Sequence, residues 1–415
     1  MNPTSTDWGT RLNHSSGSVV FPGRVAIHGS RRRTDMKRLT VVLSARPSYG
    51  HVYPMMPLAY ALRAAGHRVI FATGAGFVPR LRALGFETYS VGLSIAAAMT
   101  EAHRRLGNTA HGPDWEVGFT AFVEVAGAAT AADLLPILHF TRADLVVYDQ
   151  VDFGAAVAAA SEGIPAVVHS VSRKLPAEIE ALADGLLSAL WAKYGFDEAP
   201  LDVFVGDAYL GIFPPSLENP TFLDHPAWIP LRPVPWSEPT SPLPQSVTGP
   251  GPLAYVTLGT VAASPDIVAH AINGLVDEGA RVVVALGATD DVPLGNVPDG
   301  VTIMPFVHQA DLLPNIDLAI HHGGSGTMLG ALSCGIPSII VPLDADQPIN
   351  AGIAAQRGVA IAMDPADVTR ESVCDNVRSL LRRDKYRSAA HDVAMEIEKM
   401  PHPGEVVADL VALTR

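Results

Sequence analysis

The residues best suited to chemistry lie in His321-His322-Gly323-Gly324-Ser325-Gly326-Thr327, between an apolar run and a helix-like stretch. Three glycines let a ligand approach the backbone closely, and a helix start offers free N–H groups and about half a positive charge. The Thr327 hydroxyl and the His322 imidazole add donors at the same place, so the segment reads as a diphosphate cradle. It is not the G-x-G-x-x-G dinucleotide fingerprint, and no Lys follows the glycines as in a Walker loop. A tight strand-to-helix turn would use the same glycines for packing alone, and that alternative stays open. A second centre is His51, which follows Gly50 and precedes Pro54, a residue suited to a helix start. An imidazole with the ordinary pKa of about 6.5 can accept a proton near neutrality. Asp149, closing the run Leu145 to Tyr148, is placed to orient that ring, although a surface His and a helix-capping Asp would look alike in sequence. Asp344-Ala345-Asp346 has a spacing with which two carboxylates can hold Mg²⁺. A helix N-terminus and a His already supply charge stabilisation there, so no metal and no cofactor are expected.

These residues need strands and helices that bring them together. From Met36 the pattern alternates: expected strands are Leu39 to Ser44, Arg68 to Thr73, Glu87 to Val91, Leu145 to Tyr148 and Ala166 to Val168. Helices are expected over Pro54 to Ala65 and Val78 to Leu84 and from about Phe153, with helical material at about 94–140. Seven prolines between Arg232 and Pro252 suit neither a sheet nor a helix interior and read as a linker. The alternation then restarts with Leu253 to Leu258, Val282 to Leu286, Thr302 to Met304, Leu318 to His321 and Ser338 to Val341. The fold class expected is α/β, with two Rossmann-like doubly wound domains facing across a cleft, ligands lying at the carboxyl ends of the strands. The domains are residues 36–231 and 253–415, joined by the linker 232–252, with the C-terminal helix able to pack back on the first domain. Residues 1–35, rich in Ser, Thr, Asn, Gly and Arg, read as a disordered tail.

Composition narrows the classes. A chain of 415 residues that is 48% apolar and 17% charged has the profile of a two-domain globular protein. A net charge of −13 argues against a broad nucleic-acid or anionic-membrane surface. Cys334 and Cys374 form no C-x-x-C pair, which suits a reducing cytoplasm. No uncharged apolar run approaches the roughly 20 residues of a membrane span.

Several ordered motifs carry a family resemblance. Phe306-Val307-His308-Gln309, His322-Gly323-Gly324-Ser325-Gly326-Thr327 and Asp346-Gln347 together resemble the donor-binding signature of family 1 glycosyltransferases with the GT-B fold. The likeness is closest to the bacterial branch that decorates antibiotics such as macrolides and enediynes. It extends to Gly50-His51, Ile212 to Leu217, Leu231 to Pro235 and Thr257-Leu258-Gly259-Thr260. The resemblance implies that His322, Gly324, Ser325, Gly326 and Thr327 hold the donor diphosphate, with Gly259 and Thr260 as further donor contacts. It implies that Phe306, Val307 and Gln309 meet the nucleotide base and that Asp346 and Gln347 meet the donor sugar. It makes His51, oriented by Asp149, the general base. Two residues depart from the pattern: His308 replaces a usual proline, and Gly330 stands where plant relatives often carry an acid.

The resulting expectation is an inverting, metal-independent glycosyltransferase. It would move a sugar from a dTDP- or UDP-sugar donor to a hydroxyl of an apolar small-molecule acceptor, with no nucleic acid or membrane partner and a homodimer allowed. Trp115, Phe119, Phe122, Trp191 and Tyr194 would either line the acceptor pocket or pack helices. Rivals are a nucleotide-sugar epimerase or hydrolase on the same fold, and a non-catalytic helper protein.

Overall fold

Short strands apolar on both faces need cover on both faces, and the Val-, Ile- and Ala-rich runs of this chain form two parallel sheets flanked by helices. The computed structural model describes residues 37–107, 115–238, 247–259, 265–287 and 297–415. The proposed tail 1–35, Thr260, His111 and linker residues 239–246 lie outside the described residues. Arg38–Arg415 forms one compact unit.

The first sheet comprises β1 (Thr40–Ala45), β2 (Arg68–Thr73), β3 (Glu87–Ser90), β4 (Leu145–Asp149), β5 (Ala166–His169), β6 (Ala208–Gly211) and β7 (Trp228–Pro230). Its order is β3-β2-β1-β4-β5-β6-β7. The second comprises β8 (Leu253–Thr257), β9 (Arg281–Ala285), β10 (Val301–Met304), β11 (Leu318–His321), β12 (Ser338–Ile340) and β13 (Ala360–Ala362), in the order β10-β9-β8-β11-β12-β13. The order reverses between β1 and β4 and between β8 and β11. At such switch points the connections leave in opposite directions and open a crevice at the strand ends. His51 and Asp149 lie at the first crevice, Gly259 and His321-His322 at the second.

Most expected strands agree with the structure to within a residue or two at either end. One helix does not: the stretch expected from Pro54 begins at Tyr49, with Ser48 as N-cap, and runs to Ala64. Pro54 and Pro57 are therefore interior, and their missing N–H groups leave the carbonyls of Gly50 and Tyr53 without their usual intrahelical donors. His51 thus sits inside the first turn of this helix. β6, β7 and β13 were not anticipated; each has three or four residues, too few for a clear periodicity. β7 ends on Pro230 at the sheet edge, where a missing N–H is tolerated.

The two lobes share a core. The cluster that buries Val41, Met55 and Leu58 also buries Leu329, Leu332 and Leu410. The C-terminal segment is tied to the linker by the Arg232 N–H, which donates to the Pro401 carbonyl at 2.8 Å. A continuous helical stretch, Trp115–Thr141, contains a π-helical turn at Thr120–Val125 and is long and apolar enough, by composition alone, to cross a bilayer. Here it packs on the helix Phe153–Ser161, with Gly127 and Gly154 facing each other where the two meet. Phe119 and Trp191 are buried in that core, with Trp115, Phe122 and Tyr194 packed against it. These aromatics pack helices.

A Cβ on Gly154 would collide with the Gly127 carbonyl, a backbone atom that cannot swing aside, whereas a Cβ on Gly118 meets open space. Gly154→Ala is expected to cost about 1–3 kcal/mol, and Gly118→Ala to be neutral or stabilising by up to about 1 kcal/mol. Urea unfolding of the two variants checks this; equal stabilities would contradict the packing described.

Candidate active site

Asp149, the last residue of β4, is fully buried, and His51 is 20% exposed with Nδ1 at 3.3 Å from Asp149 Oδ2. The carboxylate also accepts the Val151 N–H at 2.9 Å and the Arg46 N–H at 2.5 Å. Burial works against the Asp149 charge, but His51 and Arg46 outweigh it and hold the carboxyl below its ordinary value. A carboxylate facing Nδ1 favours the tautomer with its proton there, in which Nε2 is the acceptor. The dyad expected from sequence is therefore brought together in space.

The cradle forms where β11 turns into the helix Ser325–Ser333, whose N-cap, Gly324, supplies no side chain to occupy the first N–H groups. The His322 ring lies between Gly259 and Gly324. A Cβ on Gly259 would sit 3.2 Å from the ring, and one on Gly324 would strike Nε2. Burial lowers the His322 pKa, partly opposed by the Thr257 carbonyl and the Asp346 carboxylate. Burial therefore favours the neutral imidazole over the cation at this position. His321 is fully buried, held down to about 3 by burial, and its Nδ1 accepts the Gly323 N–H at 3.0 Å. It shapes the turn. Thr327 Oγ1 accepts the Gln309 amide at 3.1 Å, and the same amide reaches the Tyr255 hydroxyl at 3.2 Å.

At the sugar end expected from sequence, Asp346 immediately precedes the helix Gln347–Arg357, and its side chain does not cap that helix. Its Oδ2 accepts Ser172 Oγ at 2.5 Å, Asn350 Nδ2 at 2.9 Å and Ser325 Oγ at 3.2 Å. Ser172 belongs to the other lobe, so this hydrogen bond spans the cleft. The Ser172 loop is held by Gln150, whose Oε1 accepts the Val171 and Ser172 N–H groups and whose Nε2 donates to the Arg173 carbonyl. Gln347 is less available than expected: its Oε1 accepts the Leu343 and Asp344 N–H groups at 2.8 and 3.0 Å. Asp344 is exposed and caps its own turn through the Ala345 N–H. Among the described residues, no three His, Cys, Asp or Glu gather as metal ligands.

At the base end, Phe306 is 37% exposed and lies tilted against Tyr49 of the other lobe, centroids 5.1 Å apart, with His308 edge-on. Arg80 lies over the Tyr49 ring and pairs with Glu238 at 2.9 Å. The Val307 side chain is buried in the core, so only its backbone can meet a base. Gly330 is closely packed: a Cβ there would lie 2.9 Å from the end of the Leu313 side chain, which would have to shift to admit the acid of plant relatives. His103 bonds within its own helix to the Met99 carbonyl.

Ser172, Gln150 and Asn350 were missed in sequence. Asn350 is fully buried, four residues after Asp346, and also donates to the Gly323 carbonyl and Ser325. That i, i+4 spacing was the available signal. Ser172 had none, since its partner lies in the other lobe.

Residues 269–413 match the family model described as erythromycin biosynthesis protein CIII-like, C-terminal domain. The chain is 30% identical to L-demethylnoviosyl transferase of Streptomyces niveus, over 91% of this chain and 99% of that protein. It is 28% identical to elloramycin glycosyltransferase ElmGT of Streptomyces olivaceus, over 90% and 97%. Among solved structures, glycosyltransferase VinC in complex with dTDP matches with a TM-score of 0.74 at 25% identity, covering 91% of this chain and 99% of that one. With two doubly wound sheets, a helix-start cradle and near full-length likeness, the chain belongs to the family 1 glycosyltransferases of the GT-B fold, in the branch that transfers sugars from nucleotide sugars in antibiotic biosynthesis.

Proposed function

We propose that this enzyme moves a deoxysugar from a dTDP-sugar to a hydroxyl of an apolar natural product, with inversion and without a divalent cation. The observation that carries the mechanism is the buried Asp149 in contact with His51 Nδ1. His51 Nε2 takes the acceptor proton while the acceptor oxygen bonds to the anomeric carbon. The anomeric carbon–phosphate oxygen bond breaks, and its electron pair leaves with the diphosphate. The N–H groups opening the Ser325–Ser333 helix, together with His322, receive the departing charge. Thymidine is favoured by the dTDP bound to VinC. Transfer in a single displacement from the face opposite the diphosphate inverts the anomeric centre. The two acids of the D-x-D segment serve other ends: Asp344 caps a turn, and Asp346 is engaged by Ser172, Ser325 and Asn350.

His51→Ala is expected to slow acceptor-dependent dTDP release roughly 10² to 10⁴-fold while dTDP affinity stays near wild type. Wild-type turnover in the variant would remove His51 from the role of base, and dTDP release independent of any acceptor would favour the hydrolase reading. Turnover is expected to survive EDTA; loss on chelation, restored by Mg²⁺ or Mn²⁺, would contradict metal independence. Asp346→Ala should lower kcat/KM for the intact donor much more than affinity for free dTDP, because a bond to a sugar hydroxyl is worth about 0.5–3 kcal/mol. Equal losses in both would give Asp346 to the nucleotide or the fold.

A further inference from the structure

Asp149 does not lie alone beneath the cleft. Asp152 is also fully buried, its Oδ2 accepting the Ser44 hydroxyl at 2.6 Å, and its N–H donates to the Asp149 carbonyl at 2.8 Å. Arg46, 2% exposed, bridges the two acids. Its backbone N–H donates to Asp149 Oδ2, and its guanidinium donates to Asp152 Oδ1 and Thr130 Oγ1. A buried ion pair is seldom a net gain in stability, because desolvation offsets the attraction. Its place directly against the dyad points to another use.

The ionisable groups facing Asp149 come from four elements: His51 from the first helix, Arg46 from the loop after β1, Asp152 from the turn after β4, and His169 from the end of β5. Burial pushes His169 down to about 4, so it is neutral at working pH. Burial, with Asp149 beside it, holds the Asp152 carboxyl above its ordinary value, and Arg46 and Ser44 offset only part of that rise. With both acids ionised, Arg46 cancels one of them. His51 then faces one net negative charge, and the cluster becomes neutral when the imidazole takes a proton.

We propose that Arg46 and Asp152 are a positioning pair for the general base: Arg46 anchors the Asp149 carboxylate, and Asp152 cancels the Arg46 charge so that the attraction of Asp149 for a protonated His51 is undiminished. This rests on the reading of His51 as base, but its test needs neither donor nor acceptor. The protonation of His51 is followed by ¹⁵N NMR against pH in the full chain, its signals assigned by their loss in His51→Gln. Asp152→Asn leaves the Arg46 cation uncancelled, so the midpoint should fall by about 1 pH unit. Adding Arg46→Gln removes that cation, restores the single net negative charge and should return the midpoint close to wild type. Adding Arg46→Lys instead keeps the charge, so the midpoint should stay low; this second pairing decides the matter should the Gln variant fail to fold. A merely structural pair would lower the melting temperature without this pattern. A midpoint unmoved in Asp152→Asn, or one unaffected by which residue replaces Arg46, would overturn the proposal. Turnover by His51→Ala would instead sink the base assignment and leave the titration result standing.

Discussion

A carboxylate removed from water must be neutralised by what surrounds it, and the burial of Asp149 at the end of β4 is the constraint on which the site depends. One oxygen takes the Val151 and the other the Arg46 N–H, so the acid locks its own turn to the end of β1. With β1 and β4 adjacent and parallel, that lock sets where the following helix begins, and hence where His51 points. The next residue, Gln150, extends the order to the Ser172 loop, and Ser172 reaches Asp346 in the other lobe. Asp346 in turn holds Ser325 at the mouth of the diphosphate cradle. Polar contacts, with one backbone step from Asp149 to Gln150, therefore run from His51 to Ser325.

In the proposed mechanism the two-lobed architecture divides the reaction: the first switch point supplies the proton acceptor, and the second supplies a helix N-terminus for the departing anion. The lobes are kept in register by a shared apolar core around Met55, Leu329 and Leu410, and by few polar links. The Ser172–Asp346 bond, a hydrogen bond to a charged group, is worth about 1.5–3 kcal/mol. The Tyr49–Phe306 contact adds an aromatic pair worth about 0.5–1.5 kcal/mol. Both are small enough for an arriving donor to replace them with its own contacts.

Much of this was legible in the sequence because it is local. Apolar runs such as Val282 to Leu286 marked their strands, and the glycines after His321 marked a turn that only small residues can form. The His51–Asp149 pairing was legible through motif position and the alternation of elements. What escaped is non-local or too short. The start of the first helix was obscured by Pro54 and Pro57, which ordinarily end helices but sit inside one here. Arg46 and Asp152 look like unrelated charges until β1 and β4 are paired. Ser172 acquires meaning only from the other lobe, and Gln347, read from its motif as a sugar contact, spends its carbonyl oxygen on its own loop.

The proposed mechanism puts a base on one side of the donor and the diphosphate cradle on the other, so the most direct measurement is the anomeric configuration of the glycoside formed. The one-bond ¹³C–¹H coupling at the anomeric position of donor and product reports it. A single displacement assisted by His51 predicts inversion. Retention of the donor's configuration would require a second displacement or a same-face attack, and would contradict the roles given to His51 and the cradle.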